Sequence, residues 1–192
     1  MIVVFTGNGK GKTTASLGQA MRAIGRGKKV LMIQFIKGPW RSGEDELVKN
    51  LQNQEINIKK VEPNLLSGLE NLYDFDIKKM GKGFVGILGD SLPKEEHEKA
   101  AEEALDFFEK TVAEKKYDLI ILDEVNVAIS LGLIGVSRVL EAIKKVPDEI
   151  FVLLTGRYAP KELIDAAHLV TEMKEVKHPF NDGKMAKIAL DF

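Results

Sequence analysis

Residues 6–14 read TGNGKGKTT and directly follow the short apolar run IVVF at residues 2–5. An apolar strand, a glycine-rich turn and then G-K-T-T at the start of an amphipathic segment form the pattern of a phosphate-binding loop. That motif normally has glycine at position 6, where this chain has Thr6, so the loop counted from Gly7 is one residue short. The stretch predicts a nucleotide-phosphate site at the first strand-to-helix turn.

The rest of the chain alternates apolar runs of strand length with segments of helical period. Together with the loop, this alternation predicts an α/β fold of the P-loop NTPase-like (RecA-like) type, with a mostly parallel sheet and helices on both faces. The apolar runs are mostly continuous, which is typical of strands buried on both faces. Strands are expected at 2–5, 30–36, 119–123, 150–155 and 169–174, and helices at about 13–24, 94–116, 136–143 and 163–167.

The length favours one domain spanning residues 1–192. Within it, the stretch from about 62 to 93 contains five glycines and two prolines with no steady period. We expect a long irregular loop there, and a loop of this length inside a compact domain is usually functional or mobile.

Charge and composition exclude several classes of partner. The chain has 28 Lys+Arg against 29 Asp+Glu and no cysteine. The balanced charge argues against a nucleic-acid partner, and the missing thiols exclude disulfides and cysteine nucleophiles. No apolar run approaches the roughly 20 residues of a membrane span, and IVVF is too short for a signal peptide. We therefore expect a soluble, cytoplasmic protein without a membrane partner.

The chemistry of the loop follows from its order along the chain. Glycines allow successive backbone N–H groups to converge on an anion, and the helix that follows adds its positive end. Lys12 is expected to reach phosphate oxygens, and the hydroxyl of Thr13 is expected to contact a bound Mg²⁺.

The run LIILDE at residues 119–124 supports this interpretation. Ligands of open α/β sheets gather at the carboxyl ends of the strands, where a carboxylate can help to hold a metal ion. We favour Glu124 as the metal contact, with Asp123 beside it as its support. The alternatives are that either residue caps a helix or forms a salt bridge.

These residues alone predict a site for Mg-ATP or Mg-GTP. The absence of an N-K-x-D motif favours ATP. Hydrolysis, phosphoryl transfer and simple binding all remain open at this point.

Four further stretches narrow the choice: VLMIQFIKGPWRSGE (30–44), LDEVNVAI (122–129), LLTGRYAPKELIDAAHLVTEM (153–173) and VKHPFNDGKMAKIALDF (176–192). Together with FTGNGKGKTTASLGQAMRAIG they resemble the ATP:corrinoid adenosyltransferases of cobalamin synthesis and salvage. The similarity runs in order from the first strand to the last residue and is weakest between about 50 and 93.

The resemblance implies a reaction in which a corrinoid reduced to Co(I) attacks the 5′ carbon of ATP and inorganic triphosphate departs. It also implies a homodimer and an external electron donor such as a reduced flavoprotein. Because the nucleophile belongs to the substrate, the protein has to position ATP, neutralise the triphosphate and expose the cobalt.

The roles of individual residues are carried over by the same resemblance. Lys12 and Arg157 would bind the triphosphate, and Glu124 would act at the metal with Thr13 and Asp123. Lys37 in Q-F-I-K-G would be a second cation, while Glu44 would contact the ribose or a basic neighbour. The rest of the nucleotide cradle would be Gly7, Asn8, Gly9, Lys10, Gly11 and Thr14.

Two departures from the family pattern concern the corrinoid. Relatives commonly carry a Gly-Phe-Thr-Trp stretch below the corrinoid, where this chain has GFVG at 83–86. Phe84 is retained and would be the corrinoid contact, whereas Gly86 stands where tryptophan would. Either Phe84 suffices, another apolar residue of 62–93 contributes, or the handling of the corrinoid is altered; the other interpretation of Phe84 is a core residue. Relatives often also have an N-terminal helix before the first strand, and we expect that cover to be absent here.

Two other functions remain as alternatives. One is a conventional P-loop ATPase or small-molecule kinase. The other is an ATP-binding regulatory subunit without catalysis, which the changes near Gly86 and at the N-terminus would permit.

Overall fold

The computed structural model of the chain describes residues 1–38, 40–58, 74–87, 89–185 and 187. Six strands and six α-helices are present in these ranges, followed by a short 3₁₀ turn at Pro179–Asp182. The strands are β1 (Ile2–Thr6), β2 (Val30–Gln34), β3 (Phe75–Lys79), β4 (Leu119–Asp123), β5 (Phe151–Thr155) and β6 (Leu169–Glu172). The helices are α1 (Lys12–Ile24), α2 (Gly43–Ile58), α3 (Lys94–Glu114), α4 (Val125–Ser130), α5 (Val136–Lys144) and α6 (Lys161–Ala166).

All six strands belong to one sheet in the order β3-β2-β4-β5-β1-β6, and every neighbouring pair is parallel. One strand, β5, separates β1 from β4, so the phosphate-loop strand and the acid-bearing strand are not direct neighbours. The predicted α/β class with a parallel sheet is confirmed.

Helices cover both faces of this sheet, as expected. Residues that alternate along a strand point to opposite faces, so Val30 and Met32 pack with Ala20 and Ile24 of α1, while Leu31 and Ile33 belong to the opposite core. The second core is built on α3, α5 and α6 and includes Phe108 and Leu163. The central strands β2 and β4 are buried at all five of their positions.

The two edges of the sheet differ from the sequence-based expectation. The stretch 62–93 was expected to be irregular, yet its residues Phe75–Lys79 form β3. This strand lies at the edge of the sheet and pairs only with β2, so it tolerates polar side chains and its sequence lacks the apolar run that would predict a strand. Residues 59–73 and 88 lie outside the described residues. At the other edge, β6 was expected to be buried, yet all four of its residues are exposed because β1 is its single strand partner.

Four of the parallel strands have a buried polar residue at their carboxyl end, and these four ends lie on the same side of the sheet. These residues are Thr6 of β1, Gln34 of β2, Asp123 of β4 and Thr155 of β5. Burial of a polar side chain is unfavourable unless its hydrogen bonds are satisfied, so four such residues in one place indicate a functional site rather than a packing core. The phosphate loop begins at the carboxyl end of β1, on this same side of the sheet.

None of the helices within the described ranges is both long enough and apolar enough to cross a bilayer.

Candidate functional site

The phosphate loop turns from β1 into α1 with glycines at both of its ends. Gly7, directly after β1, has φ 96°, and Gly11, at the N-cap of α1, has φ 112°. The first N–H groups of a helix have no partner within the helix, and glycine has no side chain that caps them. The first turn, Lys12–Thr14, therefore presents its N–H groups and the positive end of α1 to an anion.

The chain that follows β6 braces the loop from behind. Met173 N–H donates to Thr6 O at 2.8 Å, and Gly9 N–H donates to Met173 O at 2.7 Å. A Cβ atom on Gly9 would stand 2.7 Å from the carbonyl carbon of Lys174, so only glycine permits this approach. Gly9 was expected to offer its N–H group to phosphate, whereas the structure uses that group to hold the loop against Met173.

Lys12 lies in the centre of the loop. Its Nζ donates to Gly7 O at 2.8 Å and to Gly9 O at 2.7 Å, and the side chain is buried. Burial lowers the pKa of Lys12, and the charges of Arg157 and Lys10 act in the same direction, while Glu124 opposes them. A cation that is desolvated in this way gains strongly from an incoming phosphate.

The other loop residues assigned to the cradle lie at its outer side. Asn8, Lys10 and Thr14 are exposed, whereas Thr13 is half-buried and turned towards β4. Their side chains are therefore accessible to a ligand that enters from solvent.

Asp123 is a fully buried carboxylate held from both sides. Its Oδ1 accepts hydrogen bonds from Thr13 Oγ1 at 2.9 Å and Thr155 Oγ1 at 2.8 Å, and its Oδ2 accepts from Gln34 Nε2 at 3.3 Å. With three donors, the carboxylate is satisfied without a metal ion. The structure therefore brings Asp123 and Thr13 together, with Asp123 orienting the hydroxyl of Thr13.

Glu124 occupies a strained position next to it. Its φ of 61° lies in the left-handed region, which is uncommon for a residue other than glycine and is often found at functional sites. Burial, followed by the charge of Asp123, raises the pKa of Glu124 to about 7, against the opposing charges of Lys12, Lys37 and Arg157. The charges of three cations therefore act on the carboxylate of Glu124.

The T-G-R turn after β5 packs directly against the turn that contains Glu124. A Cβ atom on Gly156 would stand 3.0 Å from Asn126 Cβ and 3.2 Å from Glu124 Oε2. Asn126 Nδ2 also donates to Gly156 O at 3.2 Å. This contact places Arg157, which is exposed, where its charge acts on both Glu124 and Lys12.

Lys37 and Glu44 form a close ion pair beside the same acids. This pair lowers the pKa of Glu44 in spite of its burial, which acts in the opposite direction. Gln34 Nε2 donates to Glu44 Oε1 at 3.3 Å, so one amide bridges Glu44 and Asp123. Of the two partners expected for Glu44, a ribose or a basic neighbour, the structure shows the basic neighbour.

An exposed aromatic surface starts three residues after Lys37. Trp40 and Phe84 have ring centroids 5.9 Å apart, and their exposed fractions are 60% and 47%. Gly83 packs beneath Trp40, and the pocket in front of the two rings also includes Ile87 and Leu92. Two solvent-exposed aromatic rings in contact with each other are a surface for an apolar ligand.

The donor atoms at the site suit a magnesium ion. Mg²⁺ binds hard oxygen ligands and usually takes only one or two protein side chains, with water and substrate phosphates supplying the rest. Within the described ranges, no group of three or more His, Cys, Asp or Glu residues forms a metal cluster. The hydroxyl of Thr13 and the carboxylate of Glu124 therefore fit an ion that arrives with a polyphosphate.

Sequence reasoning missed several residues of this site. Gln34, Thr155 and Asn126 are buried polar residues that connect neighbouring strand ends, and Met173 shapes the loop. For Gln34 and Thr155 there was a signal, since Gln34 is the polar residue inside the apolar run VLMIQFI and Thr155 closes the apolar run IFVLLT. For Met173 there was none, because its contact is made by backbone atoms.

Glu124 should make the stability of the ligand-free protein depend on pH. A carboxyl group whose pKa is raised by folding favours its neutral form, so its stabilising contribution is complete below pH 4.5 and is lost as the pH rises through about 7. Glu124→Gln places a permanently neutral side chain there, so at pH 8 its free energy of unfolding should exceed that of wild type by on the order of 2 kcal/mol. Urea unfolding at pH 8 and at pH 4.5 measures this difference, which should nearly vanish at the lower pH.

The control for that measurement is Glu141→Gln, which changes an exposed glutamate on α5. Its free energy of unfolding should stay close to wild type at both pH values. An equal gap between Glu124→Gln and wild type at pH 4.5 and pH 8 would contradict the assignment.

Comparison with solved structures shows the fold. The crystal structure of flagellar accessory protein FlaH from Methanocaldococcus jannaschii superimposes with a TM-score of 0.52 at 14% sequence identity, over 89% of this chain and 69% of that chain. At this identity the similarity supports the α/β architecture and carries no statement about function.

Sequence comparison identifies the family. The family model described as ATP:corrinoid adenosyltransferase BtuR/CobO/CobP matches residues 1–192. The corrinoid adenosyltransferase of Escherichia coli (strain K12) is 34% identical over all of this chain and 85% of its own length. Corrinoid adenosyltransferase CobA of Salmonella typhimurium is 33% identical, also over all of this chain and 85% of its own length. The corrinoid adenosyltransferase of Pseudomonas aeruginosa is 32% identical over all of this chain and 83% of its own length. With the nucleotide-type site at the end of its parallel sheet, the chain belongs to the ATP:corrinoid adenosyltransferase family, whose members transfer the adenosyl group of ATP to a corrinoid.

Proposed function

We propose that the short phosphate loop holds the triphosphate of ATP as the leaving group of this transfer. The electron pair of a Co(I) corrinoid forms a cobalt–carbon bond to the 5′ carbon, the bond from that carbon to oxygen breaks, and inorganic triphosphate leaves with the electron pair. The observation that carries the proposal is the desolvated ammonium group of Lys12, held at the centre of the loop and facing the helix end. Positive charge placed there stabilises the charge that develops on the triphosphate.

The remaining cations complete this role. Arg157 is accessible and electrostatically coupled to Lys12, so its guanidinium can pair with phosphate oxygens at the mouth of the loop. Lys37 is paired with Glu44, and its charge also acts on Glu124. Because the nucleophile is the cobalt of the substrate, these residues act by binding and orientation and no side chain has to attack ATP.

Mg²⁺ is proposed as the ion that accompanies the triphosphate. Thr13 and Glu124 would hold it, with Asp123 supporting Thr13 from behind. Once bound, it would neutralise part of the triphosphate charge. The support for this assignment is the hard-oxygen character of the donors and their position beside Lys12.

The aromatic surface of Trp40 and Phe84 is the proposed corrinoid contact. Gly86 lies beside it with open space around its Cα, so at this position the chain offers no ring. The chain has a single tryptophan, Trp40, and it is 60% exposed. Adding a corrinoid to the protein should therefore quench the tryptophan fluorescence, and Phe84→Ala should weaken the corrinoid affinity measured in this way several-fold.

The control for the quenching experiment is Phe151→Ala, which removes an exposed aromatic ring at the start of β5, away from the strand ends that form the site. It should leave the corrinoid affinity unchanged. Quenching of equal strength and affinity in wild type and Phe84→Ala would contradict the assignment of Phe84.

We further propose a homodimer in the cytoplasm and an external electron donor such as a reduced flavoprotein. A donor is needed because the corrinoid has to be reduced to Co(I) before it reacts, and ATP does not supply that electron. The exposed apolar residues Leu169 and Val170 on the edge strand β6 provide a surface that a second copy would cover. Light scattering that reported one chain per particle would contradict the dimer.

One assay tests the proposed function as a whole. Purified protein is given Mg-ATP and a chemically reduced corrinoid, and the phosphorus products and the light-sensitive cobalt–carbon product are measured together. We expect triphosphate and alkylated corrinoid in equal amounts. Orthophosphate or ADP without alkylated corrinoid would instead indicate an ATPase or kinase, and tight ATP binding without turnover would indicate a regulatory subunit.

A further inference from the structure

Thr155, the last residue of β5, hydrogen-bonds to both acidic residues of the neighbouring turn. Its Oγ1 donates to Asp123 Oδ1 at 2.8 Å and accepts the N–H group of Glu124 at 2.9 Å. The side chain is fully buried, with an exposed fraction of 0%. One hydroxyl group therefore fixes the side chain of one acid and the backbone of the next.

The contact to Asp123 determines the direction of the Thr13 hydroxyl. Thr155 and Thr13 donate to the same oxygen, Oδ1, while Gln34 holds the other oxygen. Because the proton of Thr13 is directed to Asp123, the lone pairs of its oxygen point away from Asp123, in the orientation that a metal ion requires. A rotation of the Asp123 carboxylate would turn the Thr13 hydroxyl with it.

The contact to Glu124 stabilises a strained backbone. Glu124 has φ 61°, and such a conformation persists only where the surroundings enforce it. Without the Thr155 hydroxyl, the N–H group of Glu124 would lose the partner that the structure gives it. The turn would then be free to relax and to carry the carboxylate of Glu124 away from the loop.

We propose that Thr155 is a positioning residue that sets the geometry of the metal-binding pair Thr13 and Glu124. It acts through Asp123 on the first and through the backbone on the second, without touching nucleotide or metal. This inference rests on the proposed role of Mg²⁺ at these two residues. Residues that orient metal ligands in this way typically change metal affinity 10- to 100-fold when they are replaced.

The test measures ATP affinity by titration calorimetry, once with Mg²⁺ and once with EDTA. The ratio of the two affinities is the Mg²⁺-dependent gain. Thr155→Val keeps the shape of threonine and removes both hydrogen bonds. Thr155→Ala is measured beside it, because it removes the same bonds without placing a methyl group against Asp123. We expect both variants to reduce the Mg²⁺-dependent gain about 10-fold or more, with ATP affinity in EDTA within about twofold of wild type.

Two controls separate positioning from general destabilisation. Thr155→Ser retains the hydroxyl and should restore the wild-type gain. Thr111→Val removes another buried hydroxyl, which bonds to Phe107 O within α3 at 2.8 Å. It should lower the melting temperature without changing the effect of Mg²⁺.

The outcomes distinguish this inference from the proposed function. If Mg²⁺ does not change the ATP affinity of the wild type, the metal assignment fails and the role of Thr155 fails with it. If wild type gains affinity with Mg²⁺ and both Thr155→Val and Thr155→Ala gain equally, the metal assignment stands and the role of Thr155 is overturned. Failure of Thr155→Ser to restore the gain would also overturn it.

Discussion

Replacing Lys12 with methionine should weaken ATP binding by at least about 100-fold while leaving the ligand-free protein as stable as wild type or more stable. A hydrogen bond to a charged group contributes about 1.5–3 kcal/mol, and the ammonium group of Lys12 has three N–H donors, enough for more than one phosphate oxygen. Calorimetric titration with Mg-ATP measures the affinity, and the expected loss corresponds to roughly 3 kcal/mol.

The stability side of this prediction follows from the burial of the ammonium group. Desolvation lowers the pKa of Lys12, so its charged form is disfavoured in the folded protein relative to the unfolded chain. At pH 7 the charge is therefore a destabilising element of the ligand-free fold, and methionine removes it while keeping a chain of similar length. The hydrogen bonds to Gly7 O and Gly9 O are lost, which partly offsets the gain.

A matched control is Lys110→Met, which changes an exposed lysine on α3. It should alter neither ATP affinity nor melting temperature. A Lys12→Met protein that binds Mg-ATP with wild-type affinity would contradict the role of Lys12 in triphosphate binding. One that melts well below wild type would contradict the predicted cost of its burial.

Much of the fold and the chemical centre of the site could be predicted from the sequence, because these features depend on local order. The strand, glycine loop and helix around TGNGKGKTT are contiguous, and so are LIILD and the acids at its end. Five of the six strands were identifiable as apolar runs. Thr13 and Asp123 are joined by a hydrogen bond of 2.9 Å, while the assignment of Glu124 to a metal ion stays a prediction.

What could not be predicted depends on which strands become neighbours. Gln34 meets Asp123 because β2 lies beside β4, and Thr155 meets Asp123 and Glu124 because β5 lies on the other side of β4. Those contacts join residues 31 to 89 positions apart in the chain. The exposure of β6 has the same origin, since an apolar run does not reveal whether its strand lies at the centre or at the edge of a sheet.

The missing residue of the phosphate loop has a structural counterpart in the chain after β6. Met173 joins Thr6 and Gly9 through its own backbone N–H and C=O groups, so the short loop is fastened to a neighbouring segment at the place where its glycine N–H would otherwise face the ligand. The Gly9 N–H group of the loop is therefore already bonded, and in the proposed function Lys12 and the first turn of α1 would carry a larger share of phosphate binding.

This brace restricts Gly9 sterically, although a Cβ atom on Gly7 would come closer still, at 2.4 Å from Met173 O. Gly7 also has a positive φ, so Gly9 is the position that tests the close approach alone. Gly9→Ala would place a Cβ atom 2.7 Å from the carbonyl carbon of Lys174 and from Met173 O, both of which are backbone atoms that cannot move aside as a side chain can. Its backbone does not have a positive φ, so the effect of alanine isolates the close approach from any backbone strain. We expect Gly9→Ala to separate the loop from Met173 and to reduce ATP affinity by about 100-fold, comparable to about 3 kcal/mol.

The matched control is Gly18→Ala on α1, where an added Cβ atom meets nothing within 4 Å. Alanine favours a helix over glycine, so Gly18→Ala should raise the free energy of unfolding by about 0.5–1 kcal/mol and leave ATP affinity unchanged. Titration calorimetry and urea unfolding of both variants provide the comparison. Wild-type ATP affinity in Gly9→Ala would mean that the segment after β6 does not shape the loop, and the shortened motif would then need another explanation. An equal loss of ATP affinity in Gly9→Ala and Gly18→Ala would instead indicate that the effect does not come from the contact with Met173 and Lys174.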